Sequence, residues 1–231
     1  MYIPELKYTF YAPIVLASIM LGMAAAAILM RRAGVKKQTV LYTSLLTFVS
    51  IIIVSFATSV VLSGDIRRIG FVGAGGALGL LIGAVASALI HGDHVSESLS
   101  AWVVSAPLMY GLSKIACHIT GCCKGVPHSG TFRVIYERYD GQSFFPVQLT
   151  ETISFLAIFI IGLILYAKMK NKLNAAIITL VLSGVFKIGL EFLRDSHLGK
   201  VVTGYQILVL AITCVGAIAL LCVGNKGTDA W

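Results

Sequence analysis

Seven long apolar segments dominate the sequence and restrict what the chain can fold into. They cover residues 10–30, 40–63, 70–91, 100–122, 147–167, 175–193 and 203–223. Each is close to the roughly 20 residues that an α-helix needs to cross a hydrocarbon core about 30 Å thick. Lipid cannot satisfy backbone polar groups, and the segments lack the two-residue alternation of barrel strands. The sequence therefore predicts an all-α polytopic integral membrane protein with about seven transmembrane helices.

Few residues remain for anything outside the membrane. Only 12% of the residues are charged and 58% are hydrophobic, whereas a soluble domain carries about 25% charged residues. We therefore expect residues 1–231 to form a single transmembrane domain, in which loop 124–146 faces outward as a loop or a small cap. The net charge of +8 is spread over segment ends without a basic arm, so we do not expect nucleic-acid binding.

Two basic clusters predict the orientation of the chain in the membrane. They contain Arg31, Arg32, Lys36, Lys37, Lys168, Lys170 and Lys172. The first cluster follows the first segment and the second follows the fifth, so seven spans place both on one side. Basic residues next to transmembrane spans favour the cytoplasmic side. We therefore expect the N-terminus to lie outside and the C-terminus to lie in the cytoplasm.

The densest polar cluster lies at the end of the fourth segment, at residues 114–125. Continued helical spacing predicts that Lys114, His118 and Cys122 share one face, with a cation, an imidazole and a thiol. A thiol beside an imidazole can become a nucleophilic thiolate. The cluster therefore predicts a catalytic site in which Cys122 or Cys123 reacts.

Other interpretations of this cluster remain open. Cys117 and Gly121 flank the predicted face, and a free cysteine is also a common small apolar filler. Side chains of the types that bind zinc occur here in Cys117, His118, Cys122, Cys123 and His128. Their spacing matches no familiar zinc pattern. We therefore predict no metal site and expect no cofactor.

Two more polar clusters lie in the fifth and sixth segments. Gln148 and Glu151 are three residues apart on one helical face, where a carboxylate can serve as a general base or pair with a buried cation. Lys187, Glu191 and Arg194 follow an i, i+4, i+7 stripe, which is either a self-neutralising set or part of a site. The predicted topology places all three clusters toward the outer side. We therefore expect them to converge.

Glycines in the third segment predict close packing. Gly75, Gly79 and Gly83 repeat every four residues. Small residues at this spacing let a second transmembrane helix or a lipid approach closely.

Four sequence motifs, in this order, resemble those of the prolipoprotein diacylglyceryl transferase family. They are the glycine-rich third segment, Lys-Ile-Ala-Cys…Gly-Cys-Cys-Lys-Gly, Phe-Pro-Val-Gln-Leu-Thr-Glu and Lys-Ile-Gly-Leu-Glu-Phe-Leu-Arg. The resemblance implies seven spans and transfer of a diacylglyceryl or acyl group from a phospholipid such as phosphatidylglycerol. It implies a thiol acceptor, such as that of a lipoprotein precursor, or another acceptor, and a location in a bacterial-type plasma membrane.

The resemblance carries over to individual positions. Family residues are retained as Gly125, Pro146, Gln148, Leu149, Glu151, Glu191, Phe192 and Arg194. Lys114 and Lys187 stand where the family has arginines, which removes bidentate phosphate recognition. Cys117 and Cys122 replace an asparagine and an acidic residue. Ala74 stands where the family has a histidine before a glycine pair.

Together, the clusters and the resemblance define the predicted functional residues. The predicted catalytic residues are His118, Cys122, Cys123 and Glu151. The predicted substrate-binding residues are Lys114, Cys117, Gly121, Gly125, Arg133, Arg138, Gln148, Lys187, Glu191 and Arg194. The cations are expected to hold the lipid phosphate, and His118 to activate either the acceptor thiol or Cys122. The departures also leave open a non-catalytic lipid-binding or transport protein, or a thiol redox protein built on the cysteines.

Overall fold

Seven long helices make up most of the part of the chain that the structure describes. The computed structural model describes residues 1–3, 8–67, 70–92 and 94–228. The helices are α1 (Tyr11–Arg32), α2 (Lys37–Ser63), α3 (Gly73–His91), α4 (Val95–Ile119), α5 (Val147–Lys168), α6 (Lys172–Glu191) and α7 (Gly204–Thr228). Each corresponds to one predicted segment. The prediction of an all-α polytopic membrane protein is confirmed.

Helix α4 is the centre of the bundle. It packs against α1, α3, α5, α6 and α7. The other six helices are long and apolar enough to cross a membrane by themselves. Most of α4 is buried, including Trp102, Lys114 and His118. Because its neighbours cover it, α4 can carry polar side chains that a lipid-facing helix would not tolerate.

The glycine stripe of α3 lies against α2, as the sequence predicts. A Cβ atom added at Gly79 would lie 2.4 Å from the Ser50 carbonyl oxygen, and one at Gly83 would lie 2.6 Å from the Thr47 Cα. Both distances are far shorter than a van der Waals contact. Glycine is therefore required for the two backbones to approach this closely.

The predicted fourth segment extends three residues beyond the helix that forms. Helix α4 ends at Ile119, where the Thr120 hydroxyl donates to the Ala116 carbonyl at 2.9 Å. Gly121 follows with a φ of +63°, a conformation that stops the helix. The prediction that Cys122 continues the helical face of Lys114 is therefore wrong, because Cys122 lies in a turn.

Loop 124–146 contributes two strands to a small sheet that also includes the start of the chain. The strands are β1 (Tyr2–Ile3), β2 (Val134–Tyr136) and β3 (Ser143–Phe144). Strand β1 runs parallel to β2, and β2 runs antiparallel to β3. Buried side chains fill one face of this cap sheet: Ile3, Val134, Tyr136 and Phe144. That the cap sheet faces outward stays a prediction.

Candidate functional site

Five charged side chains from α4, α5, α6 and the segment just after α6 form one cluster centred on the Glu151 carboxylate. Glu151 is fully buried and accepts hydrogen bonds from Lys187 at 2.9 Å and from Arg194 at 2.8 Å on each oxygen. Lys114 Nζ lies 3.6 Å from the same carboxylate. Glu191 accepts from Lys187 at 2.6 Å and lies 3.2 Å from Arg194 Nε. We call these five residues the ion cluster.

The ion cluster carries an excess of positive charge in a buried place. Three cations face two carboxylates, so one positive charge is left over. Each member of the cluster is at most 7% exposed. An uncompensated charge in a medium of low dielectric constant is costly. The cluster is therefore suited to accept an anion, which would neutralise the remaining charge.

Two tyrosines surround the cations. The Tyr110 hydroxyl donates to Glu151 at 3.1 Å, and Lys114 Nζ lies 4.5 Å from the centre of the Tyr110 ring. Lys187 Nζ lies 4.9 Å from the centre of the Tyr205 ring. Cations over aromatic faces are stabilised by the ring quadrupole. Each ring therefore offers one ammonium group a favourable electrostatic contact inside the bundle.

An apolar cavity of ≈ 140 Å³ begins at this cluster and extends between the helices. Lys187, Tyr110 and Tyr205 line its polar part, and aliphatic and aromatic side chains line the rest. Ala74 also lines the cavity. Pockets that enclose a drug-sized molecule measure about 300–1,000 Å³. This cavity is therefore large enough for only a segment of an amphiphilic ligand.

Backbone contacts across the bundle surface position Arg194. Gly125 forms an isolated antiparallel bridge with Arg194, and the next residue, Val126, donates its N–H to the Leu193 carbonyl at 2.9 Å. A Cβ atom at Gly125 would lie 2.2 Å from the Phe145 carbonyl oxygen. The predicted site residue Gly125 therefore contributes through its backbone. Because it has no side chain, the segment around it fits between Phe145 and Leu193.

Gln148 and Gly121 both take part in hydrogen bonds that stabilise the turn after α4. Gln148 is fully buried and donates its side-chain amide to the Cys122 carbonyl at 2.8 Å. The Tyr139 hydroxyl donates to the Gly121 carbonyl at 3.4 Å. These contacts hold the turn against α5 and the cap sheet.

The turn brings three thiols together. Cys117, Cys122 and Cys123 place their sulfur atoms within 4.8 Å of one another, and all three are free. The pKa of Cys123 lies well below its ordinary value, because hydrogen bonds with Cys117 and Cys122 and the charges of Lys114 and Arg194 favour its thiolate. The pKa of Cys122 is raised, with the hydrogen bond to Cys117 as the largest cause. We call these three residues the thiol cluster.

His118 contacts the cap sheet through one ring nitrogen and Met1, the residue before β1, through the other. Nε2 lies 3.3 Å from the Met1 sulfur, and Nδ1 lies 3.4 Å from the Tyr136 hydroxyl. The Cys122 sulfur instead accepts from the Thr120 hydroxyl at 3.4 Å. None of these hydrogen bonds therefore joins His118 to Cys122, the pair that the sequence predicts to act together.

The two loop arginines, Arg133 and Arg138, are exposed on the cap, whereas every member of the ion cluster is buried. Arg133 donates to the Ser129 carbonyl at 3.0 Å. Their predicted role in binding substrate stays a prediction.

Fold and site together define a multi-pass membrane protein with a buried, net-positive cluster at one end of an apolar cavity. The chain matches the family model of prolipoprotein diacylglyceryl transferase over residues 1–222, and it belongs to that family. It is thus a member of a family of membrane transferases of lipoprotein biogenesis. The resemblance in the four motifs is confirmed, and the match covers more of the chain than those motifs do. No curated protein matches the chain.

Proposed function

We propose that the protein transfers a diacylglyceryl group from an anionic phospholipid, such as phosphatidylglycerol, to a thiol of a lipoprotein precursor. The net positive charge of the ion cluster carries this proposal. Such a lipid has an anionic phosphate next to apolar chains, and the site has a cationic end next to an apolar cavity. The phosphate lies at Lys187 and Arg194, and a segment of one acyl chain occupies the cavity. The reaction takes place in a bacterial-type plasma membrane.

The proposed reaction exchanges one bond for another. The acceptor thiol loses its proton to water, and its sulfur forms a C–S bond with the terminal carbon of the diacylglyceryl group. The bond between that carbon and the phosphate oxygen breaks, and glycerol phosphate leaves with one more negative charge than the lipid phosphate had. Cations placed where charge develops stabilise the transition state more than the ground state. Lys187 and Arg194 supply that stabilisation, and Lys114 adds to it.

Glu151 and Glu191 orient these cations in the proposed mechanism. Both oxygens of Glu151 already accept hydrogen bonds from Arg194, and one also accepts from Lys187. Three cations surround this carboxylate and favour its negative charge, which works against its taking a proton from a substrate. We therefore assign Glu151 a positioning role rather than that of a general base.

Direct transfer to the acceptor thiol is favoured over a covalent intermediate on Cys122. A cysteine nucleophile needs a base within hydrogen-bond reach or a lowered pKa, and the pKa of Cys122 is raised. The nitrogens of His118 contact Met1 and Tyr136, and Cys122 contacts Thr120. On this proposal, His118 positions the cap sheet over the end of α4.

A second candidate function is the binding or transport of lipid without a reaction. Ala74 at the position of the family histidine, and lysines at 114 and 187 in place of arginines, favour it. It uses the same ion cluster and the same cavity. The two candidates differ in whether the bound lipid is cleaved.

The test is an assay of lipid cleavage by the purified full chain in detergent. Phosphatidylglycerol labelled in its head-group glycerol is mixed with a peptide that carries an acceptor cysteine, and released glycerol phosphate is measured. We expect release with the peptide, and a loss on the order of 100-fold in Glu151→Gln. Glu97→Gln, at the opposite end of α4, is the matched control and should release glycerol phosphate as fast as the unaltered chain does.

Two results would overturn the transferase proposal. Lipid that stays bound but intact, with no release above that in protein-free detergent, would favour the transport function. Equal activity of Glu151→Gln and Glu97→Gln would remove the ion cluster from the mechanism. Cys122→Ser and Cys123→Ser are expected to retain release, and its loss would instead support a covalent intermediate.

A further inference from the structure

We propose that Cys117, Cys122 and Cys123 form a binding site for a soft metal ion, Cu(I), beside the ion cluster. The proposed phospholipid reaction does not use this site. The sequence predicts no metal site here, because the cysteine spacing along the chain matches no familiar pattern. The turn after α4 brings the three sulfur atoms together in space.

The separations of the sulfur atoms suit a shared ion. All three lie within 4.8 Å of one another. A metal–sulfur bond of about 2.3 Å places the sulfur ligands of a common ion roughly 4 Å apart. Small rotations of the side chains therefore suffice to complete the site.

The turn that carries two of the cysteines is held in place by the surrounding protein. Gly121 and Cys123 both have a positive φ, of +63° and +55°. Gln148 holds the Cys122 carbonyl at 2.8 Å from the direction of α5. Outer partners that fix the orientation of ligands raise the affinity of a metal site. The thiol cluster has such partners on its backbone.

Cations of the ion cluster lie near the thiol cluster. Lys114 precedes Cys117 by about one turn of α4, and Gly125, two residues after Cys123, forms a bridge with Arg194. A monovalent ion with three thiolates carries a net charge of −2. When no lipid is bound, the excess positive charge of the ion cluster offsets part of that charge, whereas a neutral apolar surrounding would not.

The type and number of ligands select the ion. Within the described chain, the group that lies within 4.8 Å contains three thiols, with no histidine or carboxylate. Structural zinc sites take four protein ligands, and calcium and magnesium require oxygen ligands. Soft thiolates favour Cu(I), for which three sulfur ligands suffice. Cys123 is exposed and Cys117 is buried, so an ion enters past Cys123.

The experiment is a competition for copper by the full chain in detergent. The reduced protein is titrated with Cu(I) in the absence of oxygen, against a coloured Cu(I) chelator. We expect the chain to withdraw one equivalent of copper. Cys117→Ser and Cys123→Ser should each bind copper at least about 100-fold more weakly, since losing a ligand costs more than losing an outer partner. Cys214→Ser, in the exposed face of α7, should bind as the unaltered chain does.

Circular dichroism and size-exclusion chromatography confirm that each variant is folded. Cys123 is the exposed member of the cluster, so Cys123→Ser tests the site even if the buried Cys117→Ser fails to fold. The proposal is overturned if the unaltered chain leaves the copper with the chelator. It is also overturned if a folded Cys123→Ser binds as tightly as Cys214→Ser. Neither result depends on lipid cleavage, so the transferase proposal stands or fails separately.

Discussion

At the scale of single residues, the members of the ion cluster depend on one another. Glu151 is the common partner of Lys114, Lys187 and Arg194. Removing one member of a buried ion pair typically costs 3–5 kcal/mol, because the other charge is left without compensation. Substitutions here therefore change both stability and function. A charge-conserving variant is needed to separate the two effects.

Lys187 offers such a pair of variants. We expect Lys187→Met to release glycerol phosphate on the order of 100-fold more slowly, because it removes a cation that contacts both carboxylates and lines the cavity. Lys187→Arg keeps the charge and should retain most of the activity. Lys168→Met, at the far end of α5, is the control. A Lys187→Met variant as active as Lys168→Met would contradict the assignment of the phosphate position.

The sequence was informative about these residues for a physical reason. A charged side chain in an apolar helix needs a partner of opposite charge. Glu151 alone in α5 therefore predicts a contact with the charged stripe of Lys187, Glu191 and Arg194. The structure joins them within hydrogen-bond distance. The sequence could not show that Glu151 is the centre of the cluster, since that depends on how α5 packs against α6.

At the scale of elements, the segment after α4 determines where Arg194 lies. Gly125 and Val126 fit between Phe145 on one side and Leu193 on the other. Arg194 follows Leu193 directly, beyond the end of α6. The guanidinium is therefore placed by a strand-like contact across the loops rather than by a helix.

Gly125→Ala tests this placement. The added Cβ would lie 2.2 Å from the Phe145 carbonyl oxygen, so the backbone must shift and Arg194 must move with it. We expect lower transfer activity and a free energy of unfolding lower by about 1–3 kcal/mol. Gly189→Ala in α6 is the control, because its Cβ would meet nothing within 4 Å. Equal unfolding temperatures of the two variants in detergent would show that the close approach of Gly125 to Phe145 does not contribute to stability.

The turn and the cap sheet show what the sequence could not predict. The apolar period of the fourth segment continues through Cys122, so nothing in it marks the end of α4 except Thr120 and Gly121. Because the chain turns there, Cys122 and Cys123 come back to Cys117. The pairing of β1 with β2 joins residues more than 130 positions apart. Local patterns do not report such distant partners.

At the scale of the whole molecule, the ion cluster, the thiol cluster and the cap sheet share one end of the bundle. The basic clusters after α1 and α5 lie at the other end, where those helices finish. Length and apolar composition were sufficient to predict the seven helices, because only helices satisfy the backbone in lipid. The orientation depends on charge outside the helices and is tested separately.

Epitope tags can test the orientation. One tag is inserted between Asp140 and Gly141, in an exposed turn of the cap, and another between Lys170 and Asn171, between α5 and α6. We expect an antibody to bind the first tag on intact spheroplasts and the second only after permeabilisation, since basic residues favour the cytoplasmic side. The opposite pattern would place the cap sheet in the cytoplasm.

The most direct test of the central proposal is an experimental structure of the protein with phosphatidylglycerol bound. We predict that the lipid phosphate lies within hydrogen-bond distance of Lys187 and Arg194, with an acyl segment in the cavity beside Tyr205. A phosphate bound instead at Arg133 and Arg138 on the cap, with no lipid at the ion cluster or in the cavity, would contradict this proposal.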